Sequence, residues 1–166
     1  MTAVQINMVN TGLTDEQREG VTGLLMRLLA DEHILYVKTR KYHWNVVGEL
    51  FHSLHNLFEE QYTVLAARID AIAERIRALG PPAIGTMQEF RQHTTLAETT
   101  EVYPDAVTMV ANLVTDHETV IRNLRHDLRT CDKQYDDMGT SDFLTELMEI
   151  HEEMAWMLRA FLQERP

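Results

Sequence analysis

The sequence predicts an all-α fold: four long helices packed as a bundle, with a long connection between the second and third. Gly and Pro are scarce, at seven and four of 166 residues, and 45% of the chain is hydrophobic. The apolar residues recur at helical spacing, and clear stop signals separate the segments. This length suits one domain, which we place at 13–162 between short polar tails at 1–12 and 163–166.

The first helix is predicted to begin after Thr14. Thr14 with Gln17 three residues later forms a capping box, in which each side chain binds the other residue's backbone N–H. Apolar residues then recur at helical spacing to about residue 45, and Gly48 marks the break.

The second helix is predicted from about Leu50 to Leu79, where Gly80 ends it and Pro81 and Pro82 prevent its continuation. Residues 81–103 form a long crossover with a short helix expected at about 87–93. Such a crossover lets the second and third helices run parallel.

The third helix is predicted to open at Pro104 and Asp105 and to fade into the acidic stretch 132–137. The fourth is expected to start after Gly139, Thr140 and Ser141, with Asp142 in its first turn.

The charge of the chain disfavours several classes of partner. The formal net charge is −11, and no Lys or Arg precedes Arg18, so electrostatics oppose nucleic-acid binding. No run of 18 apolar residues and no basic leader occurs, so neither a membrane span nor a signal peptide is expected, and the cytoplasm is the predicted location. Cys131 is the single cysteine and is interpreted as a spectator thiol.

Imidazoles and carboxylates concentrate between residues 43 and 74, a ligand mixture that suits iron, manganese or zinc. The candidates are His43, His52, His55, Glu59, Glu60, Asp70 and Glu74. His55 and Glu59 are four residues apart, as are Asp70 and Glu74, so each pair projects from one helix face.

These two pairs cannot bind one metal ion within a single chain. His55 and Asp70 are separated by about 22 Å of helix at about 1.5 Å per residue, whereas two ligands of one ion lie within roughly 4 Å. If two chains pack antiparallel about a two-fold axis, the His55 end of one helix faces the Asp70 end of the other, and the dimer holds two equivalent sites.

The same residues resemble the signature of Dps proteins, the mini-ferritins first described as DNA-binding proteins from starved cells. The resemblance covers about residues 12–162. Its motifs are His43-Trp44, Gly48, Phe51, Leu54-His55, Phe58, Asp70-x-x-Ala73-Glu74-Arg75, Asp116-His117-Glu118, Asp137-x-Gly139-Thr140-x-Asp142 and Ala155-Trp156-Met157-Leu158-Arg159.

The resemblance implies a ferritin-like bundle that assembles as a hollow dodecamer from two-fold dimers. In that family His43 and His55 would come from one subunit, and Asp70 and Glu74 from its mate, forming a ferroxidase site. Glu59 matches an acidic residue beside the site, and Trp44 adjoins the first histidine in a supporting position. His52 could hold a secondary metal. The implied reaction oxidises Fe(II), preferably with hydrogen peroxide, and stores Fe(III) oxide, which protects against oxidative stress.

The resemblance also implies that iron enters through three-fold pores lined by acidic residues. In this sequence the matching residues are Asp132, Asp137 and Asp142. The alternative is an acidic turn that caps the neighbouring helices and needs no further function.

Two other classes of function stay open at the sequence level. One is a DNA-compacting protein, but relatives that compact DNA usually use a lysine-rich tail, so weak or absent DNA binding is expected here. The other is an oligomeric buffer that binds Zn²⁺ or Mn²⁺ at the same ligands without redox chemistry. Trp44 and Trp156 are interpreted as core or interface residues before any other role.

Overall fold

Helices make up all the regular structure in the part of the chain that the computed structural model describes, residues 9–163. The predicted tails at 1–12 and 163–166 lie mostly outside this range. In chain order the helices are α1 (Asp15–Asn45), α2 (Phe51–Leu79), α3 (Met87–His93), α4 (Ala106–Lys133) and α5 (Met138–Arg159). The all-α prediction is therefore confirmed.

The first hairpin is bounded by the signals that the sequence carries. Thr14 donates its backbone N–H to Gln17 Oε1 at 2.8 Å and accepts the Gln17 N–H at its hydroxyl at 3.2 Å, which completes the capping box before α1. Gly48, at φ +97°, lies in the turn to α2, and Gly80, at φ +125°, ends α2. Both angles favour glycine.

The crossover is tied to α1 by a buried carboxylate. Asp31 accepts hydrogen bonds from the Thr94 hydroxyl at 2.7 Å and from the Thr95 backbone N–H at 2.6 Å. One turn earlier on the crossover, Phe90 of α3 stacks on His33 of α1 with ring centroids 3.8 Å apart. The short predicted helix at 87–93 is confirmed and is fixed against α1.

In the hairpin formed by α4 and α5, one helix boundary differs from the sequence prediction. Asp105 caps α4 as expected, since its carboxylate accepts the Thr108 N–H at 2.9 Å. However, α5 begins at Met138, and the prediction of a start after Ser141 is wrong because Asp137 already caps the helix. Asp142 is thus the fifth residue of α5 and lies beyond its first turn.

The four long helices form a bundle with a single apolar interior. α1 packs chiefly on α2 and α4 chiefly on α5, while α1 also contacts α4 and α2 also contacts α5. This order leaves α1 and α5 diagonally opposite. The largest fully buried side chains are Phe58, Leu25, Leu29, Leu35, Leu54, Leu65, Ile72, Ile76, Met109, Leu113, Leu124 and Leu144.

Polar side chains also occupy the interior. Glu32 of α1, His117 of α4 and His151 of α5 are all fully buried and joined by hydrogen bonds. Gln61 of α2 is buried as well and donates to the Met154 carbonyl oxygen at 3.2 Å. No helix among residues 9–163 combines the length and the apolar character that crossing a membrane would require.

Candidate metal centre

The turn between α1 and α2 brings His43 and His55 face to face. His43 lies in the last turn of α1, and His55 is the fifth residue of α2. Their rings stack with centroids 3.8 Å apart and an interplanar angle of 20°. His43 is 8% exposed, and His55 is partly buried. The reversal of the chain at Gly48 therefore converts a separation of twelve residues into direct contact.

Each imidazole is oriented by the backbone of the other residue. Nδ1 of His43 lies 2.8 Å from the carbonyl oxygen of His55, and Nδ1 of His55 lies 2.9 Å from the carbonyl oxygen of His43. A carbonyl oxygen only accepts, so in both rings Nδ1 is the protonated donor. Nε2 of each ring is then the atom that can bind a metal ion.

Glu59 completes a group of three ligands. It follows His55 by one helical turn, and one ligand atom from each of His43, His55 and Glu59 lies within 4.8 Å of the others. Among residues 9–163 this is the one such group of three. Two imidazoles and a carboxylate fit iron, zinc or manganese. Glu59 is exposed, so the open side of the group faces outward.

Aromatic rings surround the two imidazoles. The Tyr62 ring meets the His43 ring edge-on, with the ring centroids 5.3 Å apart. The centroids of the Phe51 and His55 rings are 5.1 Å apart. The Tyr62 hydroxyl is 3.5 Å from Glu59 Oε1. Desolvation, followed by the Glu59 carboxylate, raises the pKa of Tyr62, so the phenol stays protonated at neutral pH and can donate to Glu59.

Trp44 takes a different place from the one its sequence position suggests. It is 63% exposed, and the Arg40 guanidinium lies 4.9 Å from its ring centroid. Trp156 is 64% exposed. The core interpretation of both tryptophans is therefore wrong within one chain, and the interface interpretation stays a prediction.

His52 is also exposed, and its Nε2 lies 3.4 Å from Asn56 Nδ2.

Asp70 and Glu74 lie on α2 well away from the histidines. Both are exposed and one turn apart, and about 22 Å of continuous helix separates Asp70 from His55. The single chain thus brings together His43, His55 and Glu59 and leaves the other two predicted ligands at a distant, accessible position.

The three aspartates predicted to line a pore have different environments. Asp137 is 5% exposed, accepts the Thr140 N–H at 2.9 Å and pairs with Arg75 at 3.2 Å. Its carboxylate therefore caps α5, which agrees with the interpretation of this residue as part of a helix-capping acidic turn. Asp142 is exposed, and Asp132 is partly exposed and pairs with Lys133 at 2.6 Å. These two keep the accessibility that a pore requires.

Comparisons with known proteins show the family of the chain. The family of ferritin-like domains matches residues 22–165. The DNA protection during starvation protein 2 of Bacillus anthracis is 37% identical over 145 residues, which are 87% of this chain and 97% of that protein. The chain belongs to the Dps family of ferritin-like proteins.

A solved structure extends the similarity to the fold, and a further relative extends it in sequence. The Dps protein of Vibrio cholerae O1, described as a member of a superfamily of ferritin-like diiron-carboxylate proteins, superposes with a TM-score of 0.86. It is 31% identical, with 98% of this chain and all of that chain covered. An uncharacterized low temperature-induced protein of Nostoc sp. is 56% identical over 158 residues, 95% of this chain and 88% of that protein.

The ferritin-like four-helix bundle predicted for this Dps chain is therefore confirmed. Membership in the family supports a general role in iron storage and protection. Sequence reasoning missed Tyr62 as a neighbour of the site, although its position seven residues after His55, two turns along the same face, was a usable signal.

Proposed function

We propose that this Dps protein oxidises Fe(II) at a site shared by two subunits and stores the Fe(III) product as a hydrated oxide in a hollow dodecamer. The observation that carries the proposal is the pair of reciprocally hydrogen-bonded imidazoles, His43 and His55, next to Glu59. Iron is the substrate and the cargo of this reaction.

The ligand group in one chain is only part of an iron site. Three ligand atoms leave coordination positions open, and the group opens outward. Asp70 and Glu74 of the partner subunit would fill them if α2 helices pack antiparallel about a two-fold axis, because each helix then presents its carboxylates to the other's histidines. Glu74 would bridge two irons.

Exposed apolar side chains beside the site support a subunit interface there. Trp44, Val47 and Phe51 are 63%, 73% and 45% exposed, and all three lie at the α1–α2 turn. A cluster of exposed large apolar residues is typical of a surface that another chain covers. A second subunit would thus exclude water from the site and add its carboxylates in the same contact.

The ligand set suits oxidation of iron in pairs. Carboxylates favour the harder Fe(III) product. Two Fe(II) ions each give one electron to hydrogen peroxide, which takes up two protons and becomes two water molecules, while both irons become Fe(III). Because both electrons are transferred, no hydroxyl radical is released. The two imidazoles would hold Fe(II) at their Nε2 atoms, and the Tyr62 hydroxyl would donate to Glu59.

Three further expectations belong to this proposal as predictions. Iron would reach the cavity through negatively charged pores that include Asp132 and Asp142. DNA binding would be weak or absent, given the net charge of −11. The protein would act in the cytoplasm.

The first test loads the assembled protein with Fe(II) without oxygen, adds stoichiometric hydrogen peroxide and follows Fe(III) absorbance and iron content of the size-separated oligomer. His43→Ala and Asp70→Ala are expected to lose fast oxidation, whereas His126→Ala, at an exposed position on α4, keeps it. The contrary result is an unmodified protein that oxidises Fe(II) no faster than the solution without protein while still binding Zn²⁺ or Mn²⁺ in a separate titration. That result would favour the function of a non-redox metal store.

A mixing experiment tests whether the site is shared. Subunits carrying His43→Ala and Asp70→Ala are each inactive alone, but a dimer of one of each contains one site with both residues intact. Random co-assembly at equal amounts should recover about a quarter of the unmodified sites, since half the dimers are mixed and each has one good site. If all ligands came from one chain, mixing would recover nothing.

A further inference from the structure

A chain of three fully buried side chains crosses the centre of the bundle. Nε2 of His151 lies 2.6 Å from Oε1 of Glu32, and Nδ1 of His151 lies 2.9 Å from Nδ1 of His117. All three residues are 0% exposed. Because α1 and α5 are diagonally opposite in the bundle, this row of three side chains connects α1 to the α4–α5 hairpin through the interior.

The proton positions in the chain follow from what each atom can do. A carboxylate oxygen accepts, so His151 donates from Nε2 to Glu32. Of the two Nδ1 atoms in contact, one donates and the other accepts, and we place the proton on His117, whose Nδ1 then donates to Nδ1 of His151. This leaves His117 Nε2 as a buried lone pair, and among residues 9–163 neither it nor Glu32 Oε2 has a hydrogen-bond partner.

A proton is a better candidate than a metal ion for the free His117 nitrogen. Three ligand atoms come together at the His43 group alone within residues 9–163, and the interior chain is extended instead of convergent. A metal ion at His117 Nε2 would therefore lack further ligands, whereas a single proton needs only the lone pair.

The interior strongly disfavours that proton while the bundle is closed. Burial, and then the neighbouring His151, hold the pKa of the His117 imidazole well below its ordinary value. The adjacent carboxylates are engaged elsewhere, Asp31 with Thr94 and Asp116 with Lys38. The buried residues of α2 include no titratable group: they are Leu54, Leu57, Phe58, Gln61, Leu65, Ile72, Ile76 and Leu79.

We propose that the Glu32–His151–His117 chain makes the packing of the α4–α5 hairpin on α1 acid-sensitive. While His117 is uncharged, the two hydrogen bonds hold the helices together. A proton on its Nε2 creates a charge in the dry interior and an N–H with no acceptor, and opening the contact relieves both by admitting water.

The sign of the pH dependence follows from proton counting. The open state takes up a proton at the ordinary histidine pKa of about 6.5, and the closed state resists it, so the open state gains as the pH falls below about 6.5. With one proton involved, the population of the open state rises about fivefold from pH 6.5 to 5.5 and approaches tenfold per pH unit at lower pH. Between pH 8 and 7 this term changes by less than about 1.5-fold.

Hydrogen–deuterium exchange of the assembled protein tests the proposal. Exchange of peptides from α4 and α5, corrected for the intrinsic effect of pH, should speed up about fivefold from pH 6.5 to 5.5. Between pH 8.0 and 7.0 it should change by less than about 1.5-fold. An unmodified protein whose corrected exchange in α4 and α5 is flat down to pH 5.5 would overturn the proposal, whatever the variants do.

The variant His117→Asn separates this chain from other acid effects. The Asn side-chain amide can still donate to His151 but has no nitrogen that takes up a proton, so the fivefold acceleration should disappear even if the variant opens more often at every pH. His126→Asn, at an exposed position on the same helix, should keep it. Equal acceleration in His117→Asn and the unmodified protein would assign the acid response to another group.

Discussion

Replacing Asp137 should destabilise the subunit far more than replacing Asp142, although the two aspartates lie five residues apart in one acidic stretch. The Asp137 carboxylate is 5% exposed. It accepts the Thr140 N–H at 2.9 Å and the Thr140 hydroxyl at 2.5 Å, and it pairs with Arg75 at 3.2 Å. Asp142 is exposed on the surface of α5.

The magnitude can be worked from these contacts. Asp137→Ala removes the cap of α5, which costs about 1–2 kcal/mol. It also leaves the buried Thr140 hydroxyl without its acceptor and Arg75 without its carboxylate, at about 1–3 kcal/mol more. A total of about 3 kcal/mol corresponds to a fall of roughly 6–12 °C in the unfolding midpoint for a subunit of this size. Asp137→Asn keeps a capping oxygen and should lose about 1 kcal/mol.

Calorimetry of the assembled protein, with subunit concentration held constant, measures the effect. Asp142→Ala is the matched control, and its free energy of unfolding should stay within about 0.5 kcal/mol of the unmodified value. An Asp137→Ala midpoint within about 2 °C of the Asp142→Ala midpoint would refute the reasoning. In that case the carboxylate would not carry the start of α5.

Two further predictions concern packing against the second hairpin. Gly20→Ala would place a methyl group 2.2 Å from the Tyr135 ring, so it should lower the free energy of unfolding by about 1–3 kcal/mol. Gly23→Ala on the same helix meets no atom of residues 9–163 within 4 Å, so it should be neutral or stabilising in the same denaturation series. Cys131 is fully buried, and burial, with Asp137 next, raises the pKa of its thiol to about 12. Mass spectrometry at pH 8 should therefore find it unmodified by iodoacetamide in the folded protein and fully alkylated in denaturant, and rapid alkylation of the folded form would contradict the placement.

Local chemistry explains why most helix boundaries were predictable. The capping box at Thr14 and the glycine–proline stop after α2 act through residues within three positions, so the sequence displays the whole cause. The start of α5 was missed because Gly139 suggested a break. The carboxylate of Asp137 overrides that signal through Thr140 and through Arg75, which is 62 residues away.

The pairing of His43 with His55 was implied by the resemblance to the Dps family, whereas the sequence carried no comparable signal for the buried Glu32–His151–His117 network. His43 and His55 belong to one hairpin, and the turn at Gly48 brings their rings into contact. His117 and His151 have no ligand-spaced partner on their own helices, and they meet only through the packing of α4 on α5. The hydrophobic pattern also cannot distinguish a tryptophan buried within the chain from one that another chain covers, as Trp44 and Trp156 illustrate.

The reciprocal hydrogen bonds between His43 and His55 also bear on the order of events during assembly. Each ring is fixed by a carbonyl group of the same chain, so neither the partner subunit nor a metal ion is needed to set the distance between the two imidazoles. A newly folded subunit therefore already presents a rigid pair of nitrogen donors. If iron binds there as proposed, little ordering entropy remains to be lost at these side chains. The loss falls on groups that join from outside the hairpin.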